Sequence, residues 1–252
     1  MTPAGPGIVI QARVGSTRLP GKVLEKVRGR TLLARLLDRL GRCRAATRIV
    51  VATPEGDADA PVRDEAARHG ALVFAGSETD VLARYLGAAR RHRIDPVVRI
   101  TSDCPLHDPV VVDEAVSRFA ALEAEGRRVD VVTNARPGAR TYPRGLDVEV
   151  ASLGALEDAD SRLAPDAPDR EHVTRYLYRQ PALYRVDDLR LPLDLSFLRW
   201  TVDTAEDLEF VRAVCEELEP EDPRFGFLDV LALLGRRPEL VAINAGVRQK
   251  ET

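Results

Sequence analysis

Cysteine and long apolar stretches are both scarce in this 252-residue sequence. The three cysteines, Cys43, Cys104 and Cys215, lie far apart without a CxxC pair or a histidine at metal-ligand spacing, so we expect neither a disulfide framework nor a zinc site. No apolar run approaches the roughly 18 residues of a membrane span, and the first residues lack the basic region of a signal peptide. The sequence therefore predicts a globular, cytoplasmic protein with no membrane partner.

A large excess of charge of either sign is also missing. The 37 basic residues nearly balance the 40 acidic ones, which leaves a formal net charge of -3. A protein that binds nucleic acid through a broad basic face carries a clear positive excess. We therefore expect no nucleic-acid partner, and any anionic ligand must be bound by a local group of cations.

Apolar runs of strand length alternate with segments of helical period along the first half of the chain. This order indicates an α/β protein in which helices cover both faces of a mainly parallel sheet. The predicted strands span residues 7–12, 48–52, 71–75 and 97–101, and the predicted helices span residues 31–42, 61–69, 80–92 and 110–123. Ligands of such sheets bind beyond the carboxyl ends of the strands, so the loops there are the places to look for a site.

The alternation weakens after a predicted strand at 129–133, where the segment NARPGARTYPRG has the glycine and proline content of a loop. We predict a smaller lobe over about residues 134–198, with strands at 146–150 and 182–187 and a helix at 169–179. A helix at 205–218 then returns the chain to the main body. No internal repeat is present, and we predict a single domain over residues 1–252.

The loop after the first predicted strand is rich in cations and glycine. Arg13, Arg18 and Lys22 lie within ten residues, together with Gly15 and Gly21. Glycine lets backbone N–H groups approach an anion, and the three cations match the charge of a triphosphate. The spacing is neither a Walker A loop nor GxGxxG. The loop is therefore either a phosphate cradle or a basic surface loop that ends in a Pro-Gly turn.

Two aspartates are candidates for holding magnesium near such a phosphate. Asp103 follows the strand at 97–101, and Asp203 precedes the helix at 205–218. Carboxylate oxygens are the usual protein ligands of Mg²⁺ in phosphoryl and nucleotidyl chemistry. Asp103 could instead be a turn residue. Asp203 or Thr204 could cap the following helix, with Glu206 and Asp207 satisfying its first turn. A cap by Thr204 would still leave Asp203 free.

Six segments resemble one family of enzymes. IQARVGSTRLPGKVL, DVLARY, VVRITSDCPLHDP, YPRGLDVEV, REHVTRYLY and WTVDTAEDL are similar, in the same order, to blocks of the cytidylyltransferases that activate 3-deoxy-manno-octulosonate and neuraminate. The resemblance is closer to the branch named after spore coat polysaccharide biosynthesis protein F, and it covers most of residues 7–210. Ser102 stands where that branch usually has glycine, and Arg175 stands where it usually has proline.

The resemblance implies a Rossmann-like nucleotidyltransferase of the nucleotide-diphospho-sugar transferase type. It also implies a homodimer, with the smaller lobe at about 134–198 taking part in acceptor binding and dimerisation. Such an enzyme transfers CMP from CTP to a sugar, sugar acid or sugar-like acceptor, with Mg²⁺ as cofactor. Carried onto this chain, it makes Arg13, Arg18, Lys22, Asp103 and Asp203 the catalytic residues, with the last two as magnesium ligands. The nucleotide-facing positions are Gln11, Ala12, Gly15, Ser16, Asp80, Arg84, Arg99, Thr101 and Ser102. Arg84 could equally be a solvated helix arginine.

Acceptor binding is assigned to two segments. Arg144, Asp147 and Glu149 precede or lie on the predicted strand 146–150, whose alternation puts the two carboxylates on one face. That polar face either meets a sugar or is a solvated side of an edge strand. The second segment is the start of the helix at 169–179, where Arg170, Glu171 and His172 could also face the acceptor. The remaining histidines, including His107, are expected in surface or turn positions.

Two other functions compete with this prediction. A glycosyltransferase of the same architecture would consume a nucleotide sugar and hold its metal with a D-x-D pair. The letters D-x-D occur at 57–59 and 158–160, but neither pair follows a strand where a metal would be needed. A nucleotide-binding regulatory subunit would keep the cavity without chemistry, although it would not need both aspartates and all three loop cations.

Overall fold

A seven-stranded sheet forms the centre of the computed structural model, which describes residues 4–16 and 18–249. The strands in chain order are β1 (Gly5–Gln11), β2 (Lys26–Val27), β3 (Arg30–Thr31), β4 (Arg48–Pro54), β5 (Leu72–Gly76), β6 (Ile94–Thr101), β7 (Val131–Thr133), β8 (Glu149–Ala151) and β9 (Val186–Asp188). The sheet order is β5-β4-β1-β6-β8-β7-β9, and β2 and β3 form a separate hairpin. All neighbours run parallel except β8, which is antiparallel to β6 and β7. The predicted α/β class with a mainly parallel sheet is confirmed.

Helices cover both faces of this sheet. They are α1 (Leu32–Leu40), α2 (Ala60–Arg68), α3 (Val81–His92), α4 (Pro109–Ala124), α5 (Leu153–Arg162), α6 (Asp169–His172), α7 (Arg175–Arg179), α8 (Ala205–Leu218), α9 (Phe227–Arg236) and α10 (Glu239–Ala242). Local caps set several of the starts: Asp80 caps α3, and Thr204 forms a capping box with Asp207 at α8. Within the described ranges, no helix has the length and hydropathy needed to cross a bilayer.

Alternate residues of β1 pack into two separate apolar clusters. Ile8 and Ile10 belong to the larger cluster, which also contains the fully buried Trp200, whereas Val9 belongs to the cluster on the other face. Both faces of β1 are therefore covered by apolar side chains, as the continuous apolar run IVI predicts. The three cysteines are buried and free, in agreement with the expected absence of a disulfide.

Three predicted elements differ in the structure. The strand predicted at 182–187 begins only at Val186, because the residues before it form a turn in which the Leu183 N–H donates to the Gln180 carbonyl at 2.9 Å. The strand predicted at 146–150 begins only at Glu149, because the Asn134 side chain bonds the backbone of Leu146 and Val148 in place of a neighbouring strand. The helix predicted at 169–179 is broken into α6 and α7 at Val173, which is fully buried and has a φ of 56°. Burial of this side chain overrides the helical pattern of the segment.

The segment 134–198 contributes to the main sheet. It supplies β8 and β9, and its helix α5 packs against α3. Its proposed part in acceptor binding or dimerisation stays a prediction. Within residues 220–249, for which the sequence yields no prediction, α9 and α10 pack against α8.

Candidate active site

The loop after β1 forms a wall of a cavity of about 220 Å³ at the carboxyl edge of the sheet. Asp59 fixes the start of this loop, because its Oδ1 accepts the backbone N–H of Val14 at 2.6 Å. Gly21 closes the loop with a left-handed φ of 71°, which favours glycine, and donates its N–H to the Val14 carbonyl at 3.0 Å. Lys22 follows directly as the first residue of a short 3-10 helix.

The tip of this loop offers hydrogen-bond donors without protein acceptors. Among residues 4–16 and 18–249, the backbone N–H groups of Arg13, Gly15 and Ser16 donate to no protein atom, and the Arg13 side chain forms no ion pair. Successive unpaired N–H groups beside a guanidinium form a concave site suited to phosphate oxygens. This geometry fits a phosphate cradle better than a basic surface loop.

Two carboxylates converge on one ammonium group at the base of the cavity. The Lys22 Nζ lies 2.9 Å from Asp103 Oδ2 and 2.8 Å from Asp203 Oδ1. It also donates to the Val202 carbonyl at 2.8 Å. The two aspartates are brought together because the Val202 N–H donates to the Asp103 carbonyl at 2.8 Å. Asp203 itself lies in a bend just before α8, not at the end of a sheet strand.

Charge pairing keeps Lys22 and Asp203 ionised. Burial alone would lower the pKa of Lys22, but the carboxylates of Asp103 and Asp203 raise it above its ordinary value of 10.5. Burial alone would raise the pKa of Asp203, but Lys22, Arg199 and Arg18 lower it below its ordinary value of 3.8. Asp203 therefore suits the holding of a cation better than the removal of a proton at neutral pH.

The donor set of this site fits a divalent cation that arrives with a nucleotide. Asp103 and Asp203 present oxygens to a single cationic position, and Mg²⁺ is commonly held by one or two carboxylates plus phosphate oxygens and water. In the part of the chain that the structure describes, no group of three or more His, Cys, Asp or Glu side chains suits a metal. The aspartates would thus share the cation with the triphosphate.

Most of the predicted catalytic and nucleotide-facing residues line this cavity. They are Gln11, Ala12, Arg13, Gly15, Ser16, Arg18, Lys22, Arg84, Thr101, Ser102, Asp103 and Asp203. Arg84 is only 2% exposed, and the Ser77 carbonyl accepts from its guanidinium, so the solvated-arginine alternative is wrong. The apolar lining residues Val23 and Val81 were missed, because nothing in the sequence distinguishes them from core valines.

Asp80 and Arg99 lie behind the cavity wall. Asp80 accepts the N–H of Ala83 at 2.9 Å as the cap of α3 and pairs with Arg170 at 2.7 Å. Arg99 pairs with Glu149 and donates to the Gln11 side chain at 3.3 Å. Both side chains therefore brace residues of the wall, and direct contact of either with a nucleotide stays a prediction.

The predicted acceptor residues Arg144, Asp147 and Glu149 have different surroundings in the structure. Glu149 is buried and accepts from Arg99, Thr174 and Tyr178, so the alternative of a solvated strand face is wrong at this position. Asp147 pairs with Arg140. Arg144 is half-buried, and among the described residues its guanidinium has no hydrogen-bond or ion-pair partner.

The start of the interrupted helix lies closer to the nucleotide side. Arg170 is buried and engaged with Asp80 and Asp160, so it braces α3, and its availability to an acceptor stays a prediction. Glu171 lines the same cavity as the phosphate loop. His172 is half-buried, and burial followed by the nearby Arg175 lowers its pKa below 6.5, so it is neutral near pH 7.

One further histidine differs from its expected position. His107 is fully buried between Asp103 and α4, and its Nε2 lies 3.1 Å from the Asp147 carbonyl. A surface position is therefore wrong for His107, but a turn position is confirmed, because its backbone N–H donates to the Cys104 carbonyl at 3.1 Å. The two D-x-D pairs lie away from the cavity: Asp59 supports the phosphate loop and Asp160 pairs with Arg170.

The fold and this edge of the sheet together define a nucleotidyltransferase of the nucleotide-diphospho-sugar transferase type. The solved cytidylyltransferase of Leptospira borgpetersenii superposes with a TM-score of 0.88 at 33% identity, covering 99% of this chain and 98% of that one. A CMP:2-keto-3-deoxy-manno-octonic acid synthetase structure, complexed with CTP, shares the fold with a TM-score of 0.61 at 18% identity, covering 85% of this chain and 99% of that one.

Sequence comparison makes the assignment specific. The Bacillus subtilis spore coat polysaccharide biosynthesis protein SpsF is 32% identical, over 92% of this chain and 94% of the relative. A 3-deoxy-manno-octulosonate cytidylyltransferase of Anaeromyxobacter dehalogenans is 28% identical, over 82% of this chain and 96% of the relative. The cytidylyltransferase family model matches residues 8–221, and the chain belongs to that family.

Proposed function

We propose that this chain is a Mg²⁺-dependent cytidylyltransferase that transfers CMP from CTP to a sugar, sugar acid or sugar-like acceptor. An oxygen of the acceptor forms a bond to the α-phosphorus of CTP. The bond from that phosphorus to the oxygen bridging to the β-phosphate breaks, and pyrophosphate leaves with the electron pair. The observation that carries the proposal is the convergence of Asp103 and Asp203 on Lys22 beside the phosphate loop.

The residues of the chain act by positioning and electrostatics. The free N–H groups of the loop and the cations Arg13, Arg18 and Lys22 bind the triphosphate and offset the charge that develops on pyrophosphate. Asp103 and Asp203 would hold Mg²⁺, which neutralises charge on the α-phosphate and the leaving group. Bound in this way, the α-phosphorus is held for in-line attack, which supplies much of the rate enhancement in phosphoryl transfer.

The acceptor side favours an anionic group. Arg144 is a half-buried cation without a partner among the described residues; burial, and then the neighbouring Arg140, lower its pKa. A carboxylate or phosphate on the acceptor would supply the missing counter-charge. A phosphate or phosphonate oxygen attacks without losing a proton. A hydroxyl acceptor must lose one, and Asp203 is a weak base for that step because its pKa is lowered.

The test is pyrophosphate release from CTP with Mg²⁺ and a panel of acceptors: 3-deoxy-manno-octulosonate, neuraminate, sugar phosphates and phosphonates. UTP is the matched nucleotide control, and Asp103→Asn is the matched protein control. CTP-dependent release with at least one acceptor supports the proposal. Release of nucleoside diphosphate from a nucleotide sugar would favour a glycosyltransferase, and CTP binding without turnover on any acceptor would favour a regulatory subunit. The expected homodimer stays a prediction.

A further inference from the structure

Arg199 connects Asp203 to the C-terminal part of the chain. Its Nη2 donates to Asp203 Oδ2 at 2.7 Å, and its Nε and Nη2 donate to the two oxygens of Asp207 at 2.8 and 3.0 Å. Its Nη1 donates to the side chain of Gln249. Arg199 is only 8% exposed, so these are the contacts of a buried group rather than a surface ion pair. The planar guanidinium makes this arrangement directional.

Asp207 and Asn244 hold this arginine in place. Asp207 is fully buried, and its Oδ2 also accepts the backbone N–H groups of Asp203 at 2.9 Å and Thr204 at 3.1 Å. Asn244 is 4% exposed, and its Nδ2 donates to Asp207 Oδ1 at 3.0 Å and to the Arg199 carbonyl at 2.9 Å. The backbone and the side chain of Asp203 are thus fixed by the same buried cluster of Arg199, Asp207 and Asn244, which we call the Arg199 cluster.

The Arg199 cluster divides the two oxygens of Asp203 between different tasks. Oδ2 is engaged by Arg199 and by Arg18, the latter at 2.8 Å. Oδ1 is the oxygen that meets Lys22, at the point where Asp103 also converges. Oδ2 therefore orients the Asp203 side chain. Oδ1 faces the position that the Lys22 ammonium occupies, which is the position that Mg²⁺ would take in the proposed function.

The residues that complete the Arg199 cluster lie outside the family match. That match ends at residue 221, whereas Asn244 and Gln249 follow α10 at the end of the described chain. The segment reaches the site because α10 packs on α8 and α9, with Leu240 buried in the core. Val247 of the same segment lines a second cavity together with Arg18 and Thr204.

We propose that Arg199 is a positioning residue for Asp203 and that the C-terminal segment 239–249, through Asn244 and Gln249, is a required part of the cation site. This inference rests on the proposed function, because it concerns the same nucleotide and cation. Groups that orient a metal ligand without touching the metal affect metal affinity by roughly 10- to 100-fold when removed. The segment would thus control the metal-dependent part of nucleotide binding, not the fold alone.

The experiment measures the Kd of CTP by calorimetry, once with Mg²⁺ and once with EDTA, for the full-length protein and its variants. The ratio of the two values is the affinity that the cation adds. We expect Arg199→Lys and Asn244→Ala to reduce this ratio by about tenfold or more, with the Kd in EDTA unchanged. Gln249→Ala removes one hydrogen bond from Arg199, at an exposed position, and should reduce the ratio by a smaller factor.

Asn134→Ala is the matched control. Asn134 is similarly buried, and its amide also makes two hydrogen bonds, but its partners are the backbone groups of Leu146 and Val148, away from Asp203. Melting temperatures recorded in parallel separate stability from cation binding. A ratio unchanged in Arg199→Lys and Gln249→Ala overturns the inference, as does an equal reduction in Asn134→Ala. If the wild-type protein binds no CTP under either condition, the proposed function fails instead.

Discussion

Replacing Lys22 by methionine should have opposite effects on the binding of nucleotide and of free Mg²⁺. The lysine side chain is 11% exposed, and its ammonium is the common partner of Asp103 and Asp203. A charge-assisted hydrogen bond contributes about 1.5–3 kcal/mol. The Asp103 side chain is 24% exposed, so water can solvate its carboxylate once the lysine is removed. We therefore expect Lys22→Met to lower the free energy of unfolding by about 1–3 kcal/mol without ligands. Loss of one such contact to the triphosphate should weaken CTP binding by about 10- to 100-fold at low salt.

Free Mg²⁺ should stabilise Lys22→Met more than the wild type. In the wild type, Mg²⁺ must displace the Lys22 ammonium group, which contacts both carboxylates. The Lys22→Met variant has no such competitor, so its Kd for Mg²⁺ should be lower. Stabilisation by Mg²⁺ grows with the ratio of the Mg²⁺ concentration to this Kd. Thermal melts with and without Mg²⁺, and calorimetry with CTP, measure both effects. Lys26→Met is the control, because Lys26 is exposed on β2 away from the cavity. Equal responses of Lys22→Met and the wild type to Mg²⁺, with unchanged CTP affinity, would refute the reasoning.

Three further predictions concern single residues. Asp103→Asn should keep the melting temperature within a few degrees of the wild type. It should lower Mg²⁺-dependent turnover by about 100-fold or more, because a group that stabilises charge in the transition state is lost. Turnover near the wild-type value would show that Asp103 does not hold Mg²⁺. Arg144→Met should raise KM for an anionic acceptor and leave the Kd of CTP unchanged, and an unchanged KM would contradict an anionic acceptor subsite. Burial lowers the pKa of His107 below 6.5, although the Asp147 and Asp108 groups oppose this shift. The contribution of neutral His107 to the free energy of unfolding is therefore complete above pH 6.5 and is lost as the pH falls through the lowered pKa. Urea denaturation of His107→Phe should show a shallower loss of stability on acidification, and parallel curves would show that another group is responsible.

The sequence predicts the sheet and the phosphate loop well because their signals are local. The apolar runs of β1, β4 and β6, the cap at Asp80 and the capping box at Thr204 all depend on residues within a few positions. The loop cations and the two aspartates could be singled out by residue type and by the family resemblance. The structure brings them to one cavity, and their roles there stay predictions.

Long-range contacts explain what the sequence did not predict. The break at Val173 depends on burial of its side chain, and Thr174 is fixed by a bond to Glu149, 25 residues away. The sequence places Arg170 at the start of a helix that could face the acceptor, and its pairing with Asp80 across 90 positions has no local signal. The contacts of Asn244 could not be predicted from the sequence, because its partners Arg199 and Asp207 come close only after α10 has packed on α8.

The most direct test of the central claim is a thermal-shift comparison of CTP, UTP, GTP and ATP, each with and without Mg²⁺. A nucleotide at about 100 times its Kd stabilises the folded state by roughly 2.7 kcal/mol, which such a measurement resolves. We predict a shift that is largest for CTP, that increases with Mg²⁺ and that loses this increase in Asp103→Asn. A shift with no preference for CTP, or none with any nucleotide, would contradict the assignment of this cavity to CTP.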